Sequence, residues 1–138
     1  MKKEKTIDLS EEMKAVVEEL IIRNSGKCVI RAGELVKLVY PRVSAEYKES
    51  SIMPRDYCYN RVNKDPASTK HPRLLEMLGD GMYICLGEDY PYSKPMYTQP
   101  TGTKNEIVVG NWENGIFTLN ENWEKCGLKK PTFKNVKK

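Results

Sequence analysis

"SSIMPRDYCYNRVNK", running from Ser50 to Lys64, collects a proline, two tyrosines, two arginines and two asparagines, and the architecture expected of the whole chain turns on whether this run is helical. Pro54 suits the first position of a helix, because its missing amide proton is one that a helix start leaves unpaired anyway. Asp56 would then fall in the first turn, where the helix dipole favours an acid. At about 100° per residue, Tyr57, Asn60, Arg61 and Lys64 share one face and Cys58, Tyr59 and Val62 the opposite one. The spacing predicts a helix over 54–64 with a polar stripe on a small apolar anchor.

Working outward on the N-terminal side, Met13, Val16, Val17, Leu20 and Ile21 repeat at the spacing of one buried helical face, which predicts a helix over 8–24. Ser10 reads as its N-cap, Glu11 and Glu12 as dipole-favoured acids, and Gly26 as the stop. "KCVIR" predicts a short strand. "AGELVKLVYP" places Leu35, Leu38 and Val39 on one helical face, although its valines and Tyr40 also suit a strand; Pro41 ends it either way. On the C-terminal side, "RLLEMLGDGMYICLG" predicts a β-hairpin turning at Gly79, Asp80 and Gly81, and "NEIVVGNWENGIFTLNENW" a second one turning at Glu113, Asn114 and Gly115. The segment "EDYPYSKPMYTQPTGTK" between them reads as a proline- and tyrosine-rich connection.

Three helices followed by a hairpin is the order of a winged helix-turn-helix, in which the third helix enters a major groove and the hairpin forms the wing. The expected fold is therefore α+β: a winged helix-turn-helix-like three-helix core with a β-hairpin wing, plus a C-terminal β-hairpin. It occupies residues 1–126 as a single domain, followed by a flexible basic tail at 127–138. With 138 residues, 39% of them hydrophobic, the chain has apolar material for one core and not two.

Charge is distributed unevenly. Residues 27–73 carry ten Lys and Arg against five acids, residues 74–126 three against eight, and the last eleven residues five lysines and no acid. A polyanion would use the first half and the tail and be repelled by the second half. No apolar run reaches the roughly 18 residues of a membrane span, and the N-terminus lacks the apolar stretch of a secretory signal, so a cytoplasmic location with no membrane partner is expected.

Enzyme readings fail on inventory. Cys28, Cys58, Cys85 and Cys126 are widely spaced without a CxxC pair, and His71 is the single histidine, so neither a metal site nor any other cofactor is expected. Four reduced thiols fit better than a disulfide framework. Glu12-x-Lys14 and Glu46-x-Lys48 echo the E-x-K of restriction nucleases, but no preceding Asp on a strand accompanies either, and so short a pattern is common in a charged chain. With no catalytic residue assignable, the expectation is a non-enzymatic protein.

The run I-x-P-x-D-Y-C-Y-N-R-x-N-K from Ile52 to Lys64, together with the later "GMYICLG", resembles an uncharacterised bacterial and phage domain family that occurs alone or attached to restriction-type nucleases. The resemblance covers about residues 10–100. It implies association with DNA or with defence systems and carries over no catalytic residue. Arg55 and Asp65 stand where serine and glycine are expected in relatives.

Two functions follow as expectations. In the first, the module binds double-stranded DNA through the helix at 54–64: Asn60 and Arg61 touch base edges, Tyr57 stacks or bonds phosphate, and Arg55, Lys64, Lys70 and Arg73 hold the backbone. In the second, it is a phage or defence-system regulator that binds and modulates another protein through Tyr90, Tyr92, Met96 and Tyr97, since tyrosine buries much area at little entropic cost. Against both stands the possibility that the tyrosines close the edge of the core.

Overall fold

The computed structural model describes residues 9–43, 48–62, 70–98, 106–121, 124, 130–133 and 135–136. Helix α1 (Leu9–Arg23) buries Met13, Val16, Val17 and Leu20, the face that the periodicity picks out. It ends where Ser25 and Gly26 take positive φ and the Gly26 N–H bonds the Ile21 carbonyl at 2.9 Å. Ser10 is not its cap: the helix has begun by Leu9, and the Ser10 hydroxyl lies 2.8 Å from His71 Nδ1 instead. Strand β1 (Cys28–Arg31) follows, then helix α2 (Ala32–Val39), so the ambiguous segment is helical, with Leu35 and Val39 inward. Pro41 belongs to the 3-10 turn Tyr40–Arg42 that closes it.

Strands β2 (Leu75–Gly79) and β3 (Met82–Cys85) form the expected first hairpin, and β5 (Ile107–Glu113) and β6 (Ile116–Leu119) the second. The second hairpin turns on Asn114 at φ 50° and Gly115 at φ 84°, the paired positive φ of a tight hairpin turn. A further strand, β4 (Pro95–Thr98), arises within the segment read as a connection. The strands make two antiparallel three-stranded sheets, ordered β1-β3-β2 and β4-β5-β6.

The expected three-helix winged-helix core is not formed. Residues 54–57 make a four-residue 3-10 turn, and the chain then leaves helical conformation, extended at Cys58 and bent at 59–60, entering isolated parallel bridges Cys58–Leu75 and Arg61–Tyr97. The features that suggested a helix start are present, with Pro54 first and Asp56 in the turn. What overrides continuation is packing: Tyr57 and Cys58 belong to one core while Tyr59 and Val62 belong to another, and a strand-like path serves two opposed cores where a helix serves one.

The first core joins α1, α2 and the inner face of the first sheet, through Met13, Val17, Leu35, Val39, Leu74, Leu75 and Cys85 among others. The second gathers Tyr59, Val62, Leu86, Tyr92, Met96, Val109, Trp112, Phe117 and Phe133. Phe133 falls in the segment expected to be a free tail, yet it is buried against Trp112, its ring centroid 5.6 Å away, and the Phe117 N–H bonds the Asn135 carbonyl at 3.0 Å. At Phe133, Asn135 and Val136 the chain therefore lies on the second sheet.

Candidate interaction surface

The stretch from Asp56 to Val62 is an internal strap that hydrogen-bonds to both sheets. On the first sheet's edge, the Leu74 N–H bonds the Tyr57 carbonyl and the Tyr59 N–H bonds the Leu75 carbonyl, each at 2.7 Å. The Asn60 side chain extends this ladder by imitating a strand residue: its amide N–H donates to the Met77 carbonyl and its oxygen accepts the Met77 N–H, both at 2.9 Å. On the second sheet's edge, the Tyr97 N–H bonds the Asn60 carbonyl and the Val62 N–H bonds the Tyr97 carbonyl, both at 3.0 Å. One short run thus covers edge strands of two sheets, which would otherwise present open ladders.

Three side chains lock the strap. Tyr59 stacks on Tyr92 with centroids 4.9 Å apart and meets the Trp112 ring edge-on at 4.9 Å. Its hydroxyl donates to the Gly87 carbonyl at 2.7 Å and accepts the Tyr90 N–H at 3.0 Å, while Trp112 Nε1 donates to the Tyr59 carbonyl at 2.8 Å. Arg73 lies beneath: its guanidinium donates to the carbonyls of Asp56 at 2.6 Å, Cys58 at 3.0 Å and His71 at 2.9 Å, and sits 4.8 Å from the centre of the Phe133 ring. Burial lowers the Arg73 pKa to about 10 and pushes the Cys58 thiol up to about 12. Burial likewise raises the Tyr59 hydroxyl above the ordinary tyrosine range. The Cys58 thiol therefore stays protonated at neutral pH and is a poor nucleophile.

This geometry places the residues expected at a DNA groove, Lys64 excepted. Tyr57 is buried and stacks on His71, centroids 4.5 Å apart. Asn60 spends its amide on Met77, Arg73 is 3% exposed, and Arg61 is half-buried in an ion pair with Glu106. Arg55 and Lys70 are exposed, and Lys64 lies outside the described residues. The proposed stripe therefore does not form one solvent-facing surface. Of the residues expected at a protein interface, Tyr92 and Met96 are buried in the second core, and Tyr92 donates its hydroxyl to Glu76 at 2.8 Å. Tyr90 and Tyr97 are half-buried at its rim.

Two surfaces that the sequence reading did not single out remain open. A cleft of about 60 Å³ lies between α1 and α2, with Val16, Leu20 and Leu38 supplying apolar surface and Glu19, Arg23 and Arg42 the rest of the lining. Arg42 is held there by Glu12 and Glu19, both at 3.0 Å, and Leu38 is 42% exposed. No signal in the sequence marked it: Leu38 shares an apolar face with Leu35 and Val39 but sits at its margin. The second surface is the outer face of the β5–β6 hairpin, a shallow hollow of about 610 Å³ lined by polar side chains including Ser93, Asn111, Asn114, Thr118 and Asn120.

Among the described residues no cluster of three metal-ligating side chains occurs, and no helix is long and apolar enough to cross a membrane. No solved structure matches the chain. It is similar to the uncharacterised protein YnaC of Bacillus subtilis (strain 168), 39% identical over 71 residues, a stretch that makes up 51% of this chain and 26% of that protein. The match therefore spans about a quarter of the relative's length. A domain family profile matches residues 8–119, a span holding both helices, both sheets and the strap, and the chain belongs to that family, the domain of unknown function DUF7225.

Proposed function

We propose that the domain is a non-enzymatic interaction module, a part of a phage or defence-associated regulator that acts by binding another protein. The observation that carries this reading is the α1–α2 cleft: a small apolar opening bounded by Arg23 and the Glu12–Arg42–Glu19 charge network has the anatomy of a site for one aliphatic anchor side chain. The B. subtilis relative supports it in a second way, since the shared segment is a minor part of that protein, as expected of a module working beside other domains. The association with restriction-type nucleases implied by the Ile52–Lys64 motif supplies the class of partner.

The test is capture of partners from bacterial lysate by the wild-type chain and by Leu38→Glu, each with and without nuclease treatment. A partner retained after digestion and lost with Leu38→Glu is the expected result. Retention only while nucleic acid is intact would reject the reading.

One observation favours the double-stranded DNA reading in a revised form: Arg55 and Lys70 remain exposed, as do Lys27, Arg31 and Lys37. Such cations hold phosphates and read no sequence. On that reading the chain binds any duplex, with affinity falling steeply between low and moderate salt, and Arg55→Glu with Lys70→Glu weakens binding to all sequences alike. Salt-insensitive failure to shift a duplex would remove it.

A further inference from the structure

The register of the first sheet brings two thiols face to face. Cys28 in β1 is paired directly with Cys85 in β3, and in an antiparallel pair such residues project from the same face. The pairing follows from the ladder: Ala32 donates to the Gly81 carbonyl at 2.8 Å, so this couple and every second couple along the strands, ending at Cys28 and Cys85, are the hydrogen-bonded kind. That kind sets Cα atoms about 5.5 Å apart. The span is the commonest one for a disulfide. Both side chains turn toward the first core, Cys85 as a member and Cys28 packed against it. The couple is also asymmetric: Cys85 is buried, while Cys28 is partly exposed on the edge strand.

We propose that Cys28 and Cys85 form a cross-strand disulfide when the protein meets a peroxide, making the β1–β3 pair an oxidant-responsive staple. The Cys28 thiolate attacks one peroxide oxygen, the O–O bond breaks, and Cys28 becomes a sulfenic acid while the other oxygen leaves as water after taking a proton. The Cys85 sulfur then attacks the Cys28 sulfur; the S–S bond forms, the S–O bond breaks, and the hydroxyl leaves with the Cys85 proton as a second water. Sulfur is oxidised by two electrons and the peroxide reduced by two. The staple ties the edge strand and the end of α1 to the sheet's central strand, enclosing most of the first core within a covalent loop.

Cys58 is the built-in control. It lies in the same row of the sheet, but Leu75 stands between it and Cys85, and it is fully buried.

The experiment treats the folded chain with hydrogen peroxide, blocks remaining thiols with an alkylating agent, and maps the cross-links by mass spectrometry without reduction. The expected product has lost two hydrogens, links the Cys28 and Cys85 peptides, survives in Cys58→Ser and disappears in Cys28→Ser. It melts about 5 °C or more above the reduced protein. Cys28→Ser, at a partly exposed position, tests the proposal even if Cys85→Ser does not fold. Oxidation that stops at sulfinic acid on Cys28, a cross-link that forms between molecules, or one that persists in Cys28→Ser would overturn it.

Discussion

The first half of the molecule is packed with aliphatic side chains that touch one another; the second is packed with aromatic rings that also hydrogen-bond. Two of the fourteen buried residues in the first core are aromatic, against five of nine in the second, and the difference decides how each half is held. Aliphatic contacts are non-directional, so the first core needs little beyond correct helical and strand periodicity. Tyr59, Tyr92 and Trp112 each carry a polar group that must find a partner when buried, and those partners lie on Gly87, Glu76 and Tyr59. The second half is therefore specified by long-range polar satisfaction as well as by shape. The strap at 56–62 belongs to both halves, which predicts that they unfold together.

Removing the group beneath the strap should break both halves at once. Arg73→Met leaves the carbonyls of Asp56, Cys58 and His71 without their donor and should cost about 3 to 5 kcal/mol in urea unfolding. Leu35→Ala strikes the first core alone, where Leu35 is fully buried, and should cost about 2 to 5 kcal/mol. Trp112→Phe keeps the ring but removes the donor to the Tyr59 carbonyl, for about 1 to 3 kcal/mol. In Arg73→Met and Leu35→Ala, which keep Trp112, helix content by circular dichroism and the fluorescence of the aromatic core should be lost at one urea concentration. Separate transitions would mean that the halves are independent.

Alkali should act mainly on the buried thiols and tyrosines, Tyr59, Tyr83 and Tyr92 among them. Burial raises Cys58 and Cys85 from 9.0 to about 12 and Tyr83 from 10.0 to about 12, so the folded state keeps protons that the unfolded chain releases. That contribution is fully present below pH 9 and is lost as pH climbs toward 12. Arg73, lowered to about 10, works in the opposite sense above that pH, being a single group against five, since burial also raises the Tyr59 and Tyr92 hydroxyls. The urea midpoint should fall between pH 8.5 and about pH 11, and fall less in Cys58→Ala after correction for its lower starting stability. A flat profile would contradict the burial of these groups.

The smallest effect belongs to Arg61→Ala. Its ion pair with Glu106 is partly solvated, so stability should change by about 0 to 1 kcal/mol. Duplex binding, if any, should change by no more than the loss of one phosphate contact, where a base-reading arginine would cost about 1 to 3 kcal/mol on a preferred site.

What could be read from the chain divides along the same line. The helix at 9–23, the short strand at 28–31 and both hairpins carry local signals: a 3.6-residue apolar repeat, β-branched runs and glycine turns. The strap does not, because Cys58, Tyr59 and Val62 fit one helical face over so short a run, and nothing local shows that Cys58 and Tyr59 enter different cores. Asn60 and Arg73 looked like groove readers because nothing nearby in sequence reveals the carbonyls and strand edge awaiting them; Asn60 meets Met77 seventeen residues on. Strand β4 was hidden by Pro95, which is tolerated because it opens an edge strand. The candidate interaction cleft was not legible, because Leu38 was expected on the buried face with Leu35 and Val39 and is instead 42% exposed.

Native-state hydrogen exchange at the Tyr59 and Val62 amides probes the strap most directly, since one bonds Leu75 in the first sheet's edge and the other Tyr97 in the second's. If the strap joins the two sheets, both amides exchange only through global unfolding, with the same free energy as the Leu86 amide in the interior. Exchange at either amide through a low-energy local opening, while Leu86 stays protected, would contradict the account.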